Sequence, residues 1–266
     1  KRKGKLVIYD AHEDLPRQLI GKSYLPMSRM FSVLFEWYEN FIVKRVDAVM
    51  TATPFIRDRF QKIHPRVIDI NNYPLLTELE FDESLEPRTH VCYIGGLTHI
   101  RGISQLVDAM QFTQTTLQLA GTLSPSYQEE LEQSLGWSQV VPCGHVSRKE
   151  ALAIKQNAFA GIVTFLPFPN HINAQPNKIF EYMASGIPVI GSNFPMWKEL
   201  IEVQEVGVCV DPADPKAIGE AIEYLRTNPA LARSMGERGK QRVKEIYNWS
   251  AEEEKLVRCY TEILNI

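Results

Sequence analysis

The 266-residue chain contains no apolar run approaching the roughly 20 residues that a membrane-spanning helix requires. No signal-peptide pattern is present either: the opening Lys1-Arg2-Lys3-Gly4-Lys5 passes straight into a strand-like segment. There is no initiator methionine, which is the beginning expected of a fragment of a longer protein. Cysteine is scarce, with four residues and no Cys-x-x-Cys pair, so a zinc site or redox dithiol has no ligands at the needed spacing. Cys92, Cys143 and Cys209 fall in β-like apolar runs, and buried, reduced thiols in a cytoplasmic protein are the expectation. Positive charge is not in excess: 29 Lys and Arg against 32 Asp and Glu leave a formal net charge of -3, without the basic footprint of a nucleic-acid binder. The spaced three-glycine fingerprint is missing, which counts against an NAD-dependent oxidoreductase.

What is present is the composition of a globular protein, 44% hydrophobic and 23% charged, at a length suited to one large or two medium domains. Short apolar runs alternate with helical patterns from start to finish, which predicts an α/β fold with parallel sheets and covering helices. In the first part, strands are expected at 6–9, 48–50 and 67–70, and helices at 28–46 and 54–63. Phe31, Leu34, Trp37, Phe41 and Ile42 fall mainly on one side of the first helix, and its polar side is not strongly basic. That side is therefore expected in the core rather than on a membrane surface. Three strands are few for a parallel sheet, so this part reads as incomplete.

Residues 71–90, with Pro74, Pro87 and an acidic run, read as a linker. Beyond it, strands are expected at 91–94, 117–120, 140–141, 161–165, 188–190 and 208–210. Helices are expected at 103–110, 127–135, 149–157, 177–184 and 197–201, followed by a long helical tail. This is a complete doubly wound domain, with ligands expected at the carboxyl ends of its strands.

Three segments at such strand ends can carry chemistry. In the first, residues 174–190, Pro176 opens a helix at Asn177, and Gly186 closes it ahead of a buried strand. Free N–H groups and the positive dipole end at the helix start favour an anion, and Lys178 adds a point charge there. Glu181, one turn on, can accept hydrogen bonds from two neighbouring ribose hydroxyls. Alternatively, Lys178 and Glu181 form a surface i,i+3 pair. In the second segment, Gly95-Gly96 ends a strand, and Arg101 can grip a phosphate through its planar fork. A plain strand-to-helix turn explains the same residues. In the third, Asp10-Ala11-His12-Glu13-Asp14 follows the first strand, where His12 can hydrogen-bond a sugar hydroxyl; the alternative is a solvated acidic turn. His171 lies in the loop that leads to Lys178 and is a further candidate contact.

Taken together, and in this order, the segments resemble the retaining glycosyltransferases of the family 4 group, which have the GT-B architecture. Residues 176–190 resemble that family's donor-site helix, 95–102 its phosphate loop, 10–13 its acceptor-side histidine turn, and 39–53 a helix and strand of its first domain. The resemblance implies two Rossmann-like domains. Residues 1–88 would be an incomplete acceptor-side domain with helix 249–266 packed back on it, and 89–248 the nucleotide-sugar domain. Family members carry roughly a hundred further residues before the histidine turn.

The resemblance also implies that Glu181 binds the donor ribose, that Lys178 and Arg101 bind the diphosphate, and that His12 lies at the point of sugar transfer. Gly95, Gly96, Asn173 and Asn177 complete the donor contacts. Asn173 stands where many members have a glutamate that touches the donor sugar, and Gly96 where many have arginine. No Asp-x-Asp triplet is present to clamp a metal against a diphosphate, so the implied reaction is metal-independent and needs no cofactor beyond the nucleotide-sugar donor. The implied partners are that donor and a sugar or lipid-linked acceptor, not a nucleic acid. The implied location is the cytoplasm, with peripheral association at the inner face of the membrane. Two competing readings remain: a sugar-nucleotide epimerase or isomerase on the same fold, and a non-catalytic nucleotide-binding fragment or subunit.

Overall fold

The computed structural model describes residues 4–20, 27–76 and 88–264. Most of the linker expected over 71–90 thus lies outside the described residues, at 77–87, as do Lys1, Arg2 and Lys3. The chain divides into two compact units, one comprising Lys1–Leu75, Phe168–Gln175 and Asn248–Ile266, the other Leu76–Pro167 and Pro176–Tyr247.

The first unit opens with β1 (Ile8–Ala11), α1 (Leu15–Ile20), α2 (Ser28–Val43), β2 (Ala48–Thr51), α3 (Pro54–Gln61) and β3 (Val67–Asp69). Its strands are parallel in the order β1-β2-β3, with Val49 opposite both Tyr9 and Val67. Helix α3 begins where Pro54 suits the first turn and the Thr53 hydroxyl accepts from Ile56 N at 3.3 Å. It delivers Ile56 and Phe60 to a core with Ala11, Val43 and Val49.

Inside this unit lies a buried acid. Glu39 on α2 is 3% exposed and accepts from the Tyr9 hydroxyl at 2.8 Å and from Arg59 of α3. Arg59 also donates to Asp14 at 2.6 Å. Burial and the Glu39 carboxylate push the Tyr9 phenol well above its ordinary value, so it remains a neutral donor.

This arrangement corrects the expectation for α2. Phe31, Leu34, Trp37 and Phe41 are exposed, whereas Ser32, Glu39 and Val43 face inward and Ile42 is half-buried against the core. With Glu39 turned inward to Arg59, the 3.6-residue period allows only its neighbours along the same stripe to follow.

The second unit holds β4 (His90–Ile94), α4 (Ile103–Ala109), β5 (Thr116–Ala120), α5 (Pro125–Leu131), β6 (Val140–Gly144) and α6 (Arg148–Gln156). It continues with β7 (Ala158–Val163), α7 (Asn177–Ala184), β8 (Val189–Ser192), α8 (Pro195–Ile201), β9 (Gly207–Val210), α9 (Pro215–Thr227) and α10 (Pro229–Glu245). Its six strands are all parallel, in the order β6-β5-β4-β7-β8-β9. From β4 the chain winds outward to β6, then returns to β7 and winds the other way. The connections leaving β4 and β7 therefore flank the point where the winding reverses. The helical tail is broken at Pro229, which cannot continue α9.

A last helix, α11 (Trp249–Leu264), belongs to the first unit. Trp249 N donates to Pro74 O at 3.0 Å, and Glu252, 1% exposed, accepts from Asn71 N at 2.9 Å. Phe168–Gln175, which the sequence pattern assigns to the second domain, also groups with the first unit, where Gln175 donates to the Tyr73 hydroxyl at 3.2 Å. Among the described residues no helix is long and apolar enough to cross a membrane.

The Glu39 cluster gives a first expectation. Arg59→Met leaves the buried Glu39 without its cation, while Asp14 keeps Arg17 at 3.5 Å, and should destabilise the first unit by about 3 kcal/mol, whereas Tyr9→Phe should cost about 1 kcal/mol. Urea unfolding measures both, and equal effects would contradict this ranking.

Candidate functional site

Strand β4 ends at Ile94, and the next residue, Gly95, continues the ladder by donating to Ala120 O at 2.8 Å. Its φ of 140° lies where side chains are disfavoured. A methyl group at this position would collide with Nζ of Lys178 and stand 3.8 Å from Nη1 of Arg101. The lysine ammonium thus fills the space that any side chain at position 95 would take. A methyl on Gly96 would lie 3.1 Å from the same guanidinium. Arg101 ends a single 3-10 turn, His99–Arg101, and its guanidinium carbon lies 5.3 Å from the centre of the Phe165 ring. Lys178 Nζ lies 5.5 Å from the centre of the Tyr93 ring.

Lys178 is half-buried, not part of a surface pair. Burial, then the Arg101 guanidinium, push its pKa down to about 8, with Glu181 offsetting only part of this. Two like charges therefore share a partly desolvated corner.

Helix α7 brings Lys178 there. Pro176, in extended conformation, occupies the N-cap and supplies no side-chain cap, so the first N–H groups of the helix remain open. Ile179, Phe180, Tyr182, Met183 and Ala184 are all buried, and they hold the helix between the sheet and α10, where Phe180 lies 5.1 Å from the Tyr247 ring and Met183 lies against Gly239. Its height is set by Tyr182, whose ring lies against Gly161 of β7 so closely that a methyl there would run into it. The Tyr182 hydroxyl then accepts from Ile94 N at 3.2 Å, next to the Gly95 turn. Tyr93 ties down the other side of that turn by donating to Gly96 O at 3.0 Å. Two cations and open helix N–H groups at one strand end are the elements of an anion site.

Glu181 is 44% exposed at its side chain, and Oε2 lies 3.8 Å from Nζ of Lys155, a lysine buried in the last turn of α6. Thus Gly95, Gly96, Arg101, Asn177, Lys178 and Glu181 all belong to the second unit. His12 and Asn173 belong to the first. His12 follows β1, with Nε2 3.0 Å from Oδ2 of Asp10 and both side chains more than half exposed. His171 is buried, its ring edge-on to Phe168 at 5.9 Å.

Sequence reasoning alone misses Tyr93, Lys155 and Tyr182. One signal was available: Gly161 is an isolated glycine inside an apolar strand, which marks a close approach.

Residues 77–242 match the family model for glycosyl transferases, group 1. The D-rhamnosyltransferase WbpZ of Pseudomonas aeruginosa is 26% identical over 256 residues, covering 89% of this chain and 62% of that protein. The human α-1,3/1,6-mannosyltransferase ALG2 is 24% identical over 299 residues, covering 99% of this chain and 69% of that protein. Among solved structures, sucrose-phosphate synthase of Thermosynechococcus elongatus superposes with a TM-score of 0.78 at 21% identity, covering 99% of this chain and 70% of that one. HepE of Anabaena, in complex with UDP and glucose, gives 0.76 at 14% identity, covering 97% and 72%. These structural likenesses are of fold, and the fold is the GT-B type that the sequence resemblance implies.

The packing beneath the site predicts that Gly161→Ala, by pushing Tyr182 off the sheet, costs about 1–3 kcal/mol, the usual range for overfilling a packed core. An unchanged denaturation midpoint would show that Tyr182 does not set the position of α7.

Proposed function

This chain belongs to the group 1 glycosyl transferases, and on that premise we propose that it moves a sugar from a nucleoside-diphosphate donor to a hydroxyl of a glycan, glycolipid or polysaccharide precursor, with retention and without a metal. The chain spans 62% of the rhamnosyltransferase's length, so the proposal concerns the protein of which these residues form the described part.

The observation that carries the proposal is the pair of cations over Gly95. As the bond between the anomeric carbon and the diphosphate oxygen breaks, negative charge grows on the departing diphosphate. Lys178, Arg101 and the open N–H groups at Asn177 stabilise that charge, and the glycine turn at 95–96 lets backbone approach it closely. The acceptor oxygen bonds to the anomeric carbon on the face the diphosphate leaves, and its proton passes to the diphosphate oxygen. Glu181 accepts from the two ribose hydroxyls, the Asn173 amide meets sugar hydroxyls, and His12 hydrogen-bonds at the point of transfer. Support for a nucleotide-sugar donor comes from the relatives named as rhamnosyl- and mannosyltransferases and from the neighbour crystallised with UDP and glucose. A lipid-linked acceptor at the inner membrane face and a cytoplasmic location follow from the family resemblance.

Calorimetry of this chain with uridine and guanosine diphosphates tests the donor half. One of them should bind, and Glu181→Ala should weaken binding by about tenfold or more, the loss of a charge-assisted hydrogen-bond pair. Absence of binding to either, with no product from a nucleotide-sugar panel, would reject the proposal.

Lys178 adds a pH dependence. Its pKa is depressed to about 8 and the diphosphate binds its charged form, so affinity should be level below that pH and fall as pH rises through it. Lys178→Met should remove this inflection.

A further inference from the structure

Helix α6 turns a lysine inward where an amphipathic pattern calls for an apolar side chain. Its start is fixed by a capping box: the Ser147 hydroxyl accepts from Glu150 N at 3.3 Å, and Glu150 Oε2 accepts from Ser147 N at 2.7 Å. Leu152 and Ile154 are only half-buried, and the residue the helix buries is Lys155, 9% exposed. Burying an ammonium is costly unless an acid compensates it, so this lysine needs a partner. A cation in the last turn also meets the negative end of the helix dipole, but an exposed lysine does the same without losing its water.

The partner is Glu181 of α7, whose Oε2 lies 3.8 Å from the Lys155 Nζ. At that separation the two form an ion pair without a hydrogen bond, which contributes little to the stability of the fold. Glu181, 44% exposed at its side chain, is hydrated without any help from a lysine. The pair therefore does more for the placing of the acid than for the fold. A half-exposed glutamate turns freely about its side-chain bonds unless something holds the carboxylate, and Lys155, enclosed under α6, supplies that hold. It also tempers the charge of an acid that stands one turn from the diphosphate cations. Glu181 offsets only part of the depression of the Lys178 pKa, and a carboxylate partly neutralised by Lys155 repels an incoming diphosphate less.

We propose that Lys155 is the positioning residue for Glu181, holding its carboxylate ready for the two ribose hydroxyls of the donor. Selection of a riboside over a deoxyriboside then depends on a buried lysine that itself needs no contact with the donor. A carboxylate has about four lone-pair positions, so an oxygen facing Lys155 still leaves acceptors for both hydroxyls. A group fixed beforehand also loses less freedom on binding than one that must be drawn in from solvent. The inference rests on the ribose role proposed above for Glu181 and adds to it the residue through which that role is exercised. Both side chains belong to the second unit.

Calorimetry with uridine and guanosine diphosphates and their 2′,3′-dideoxy counterparts, on the unaltered chain and on Lys155→Met, tests it. The unaltered chain should bind the diphosphate it prefers about tenfold or more tightly than the dideoxy form, which lacks both hydroxyls. Lys155→Met, similar in length and without charge, should shrink that ratio about threefold or more, toward the strong end for a half-exposed ion pair. Its affinity for the dideoxy nucleotide should change less than about twofold, and its thermal unfolding midpoint should not fall. A general distortion of the site, or a loss of charge felt directly by the diphosphate, weakens both nucleotides alike and leaves the ratio unmoved. Equal discrimination by the variant and the unaltered chain would overturn the role of Lys155 and leave that of Glu181 standing. No discrimination by the unaltered chain, or no binding, would overturn both. A lowered midpoint with both nucleotides weakened alike would make Lys155 a structural residue only, and the proposal would fall.

Discussion

Lys178 and Arg101 meet at a strand end that carries no side chain, and two cations so placed repel each other unless something anionic joins them. Burial first, and that repulsion second, depress the pKa of Lys178. The repulsion is sustained by apolar burial, which is the larger quantity: five side chains of α7 are buried between the sheet and α10, and Ile179, Phe180 and Met183 among them are worth roughly 1.5–3 kcal/mol each when fully buried. The helix cannot retreat without exposing them. Tyr182 fixes its height across Gly161, and the Tyr182 hydroxyl is bonded to the strand that ends in the glycine turn. The cations are therefore held ready before any ligand arrives, which is how a site lowers the reorganisation needed when charge develops.

The sheet order explains why these two connections converge. Only the strands on either side of the reversal in winding, β4 and β7, send their following segments to opposite faces from adjacent positions, leaving a crevice between them. The Gly95 turn follows the first of these strands and the segment leading to α7 the second. Fold alone says little about chemistry, and solved relatives at 14% and 21% identity establish architecture rather than substrate. The functional reading rests instead on which residues this chain places at that crevice.

Much of this was legible in the sequence wherever local punctuation is strong. Helix α7 spans the very residues, 177–184, that Pro176 and Gly186 bracket, and the nine strands among the described residues coincide with short apolar runs, shifted by at most a few residues. The segments around Gly95 and Lys178 were recognisable because each follows a strand. What stayed hidden depends on partners distant in sequence. Nothing near Glu39 announces Arg59, so the inward face of α2 was assigned to the aromatic side, which is exposed. Tyr182 reads as an ordinary core position until Gly161 and Ile94 are placed beside it. Lys155 reads as a surface lysine until α6 packs it toward Glu181. The association of Phe168–Gln175 with the first unit includes a hydrogen bond from Gln175 to Tyr73, 102 residues earlier in the chain, which no local pattern encodes.

The central claim is that Lys178 is a desolvated cation waiting for a diphosphate, and nuclear magnetic resonance of its ammonium group, with and without nucleoside diphosphate, addresses it directly. The account predicts a pKa of about 8 in the free protein, rising on saturation toward the ordinary lysine value of about 10.4. An ordinary value in the free protein, or one that does not move when the nucleotide binds, would contradict it.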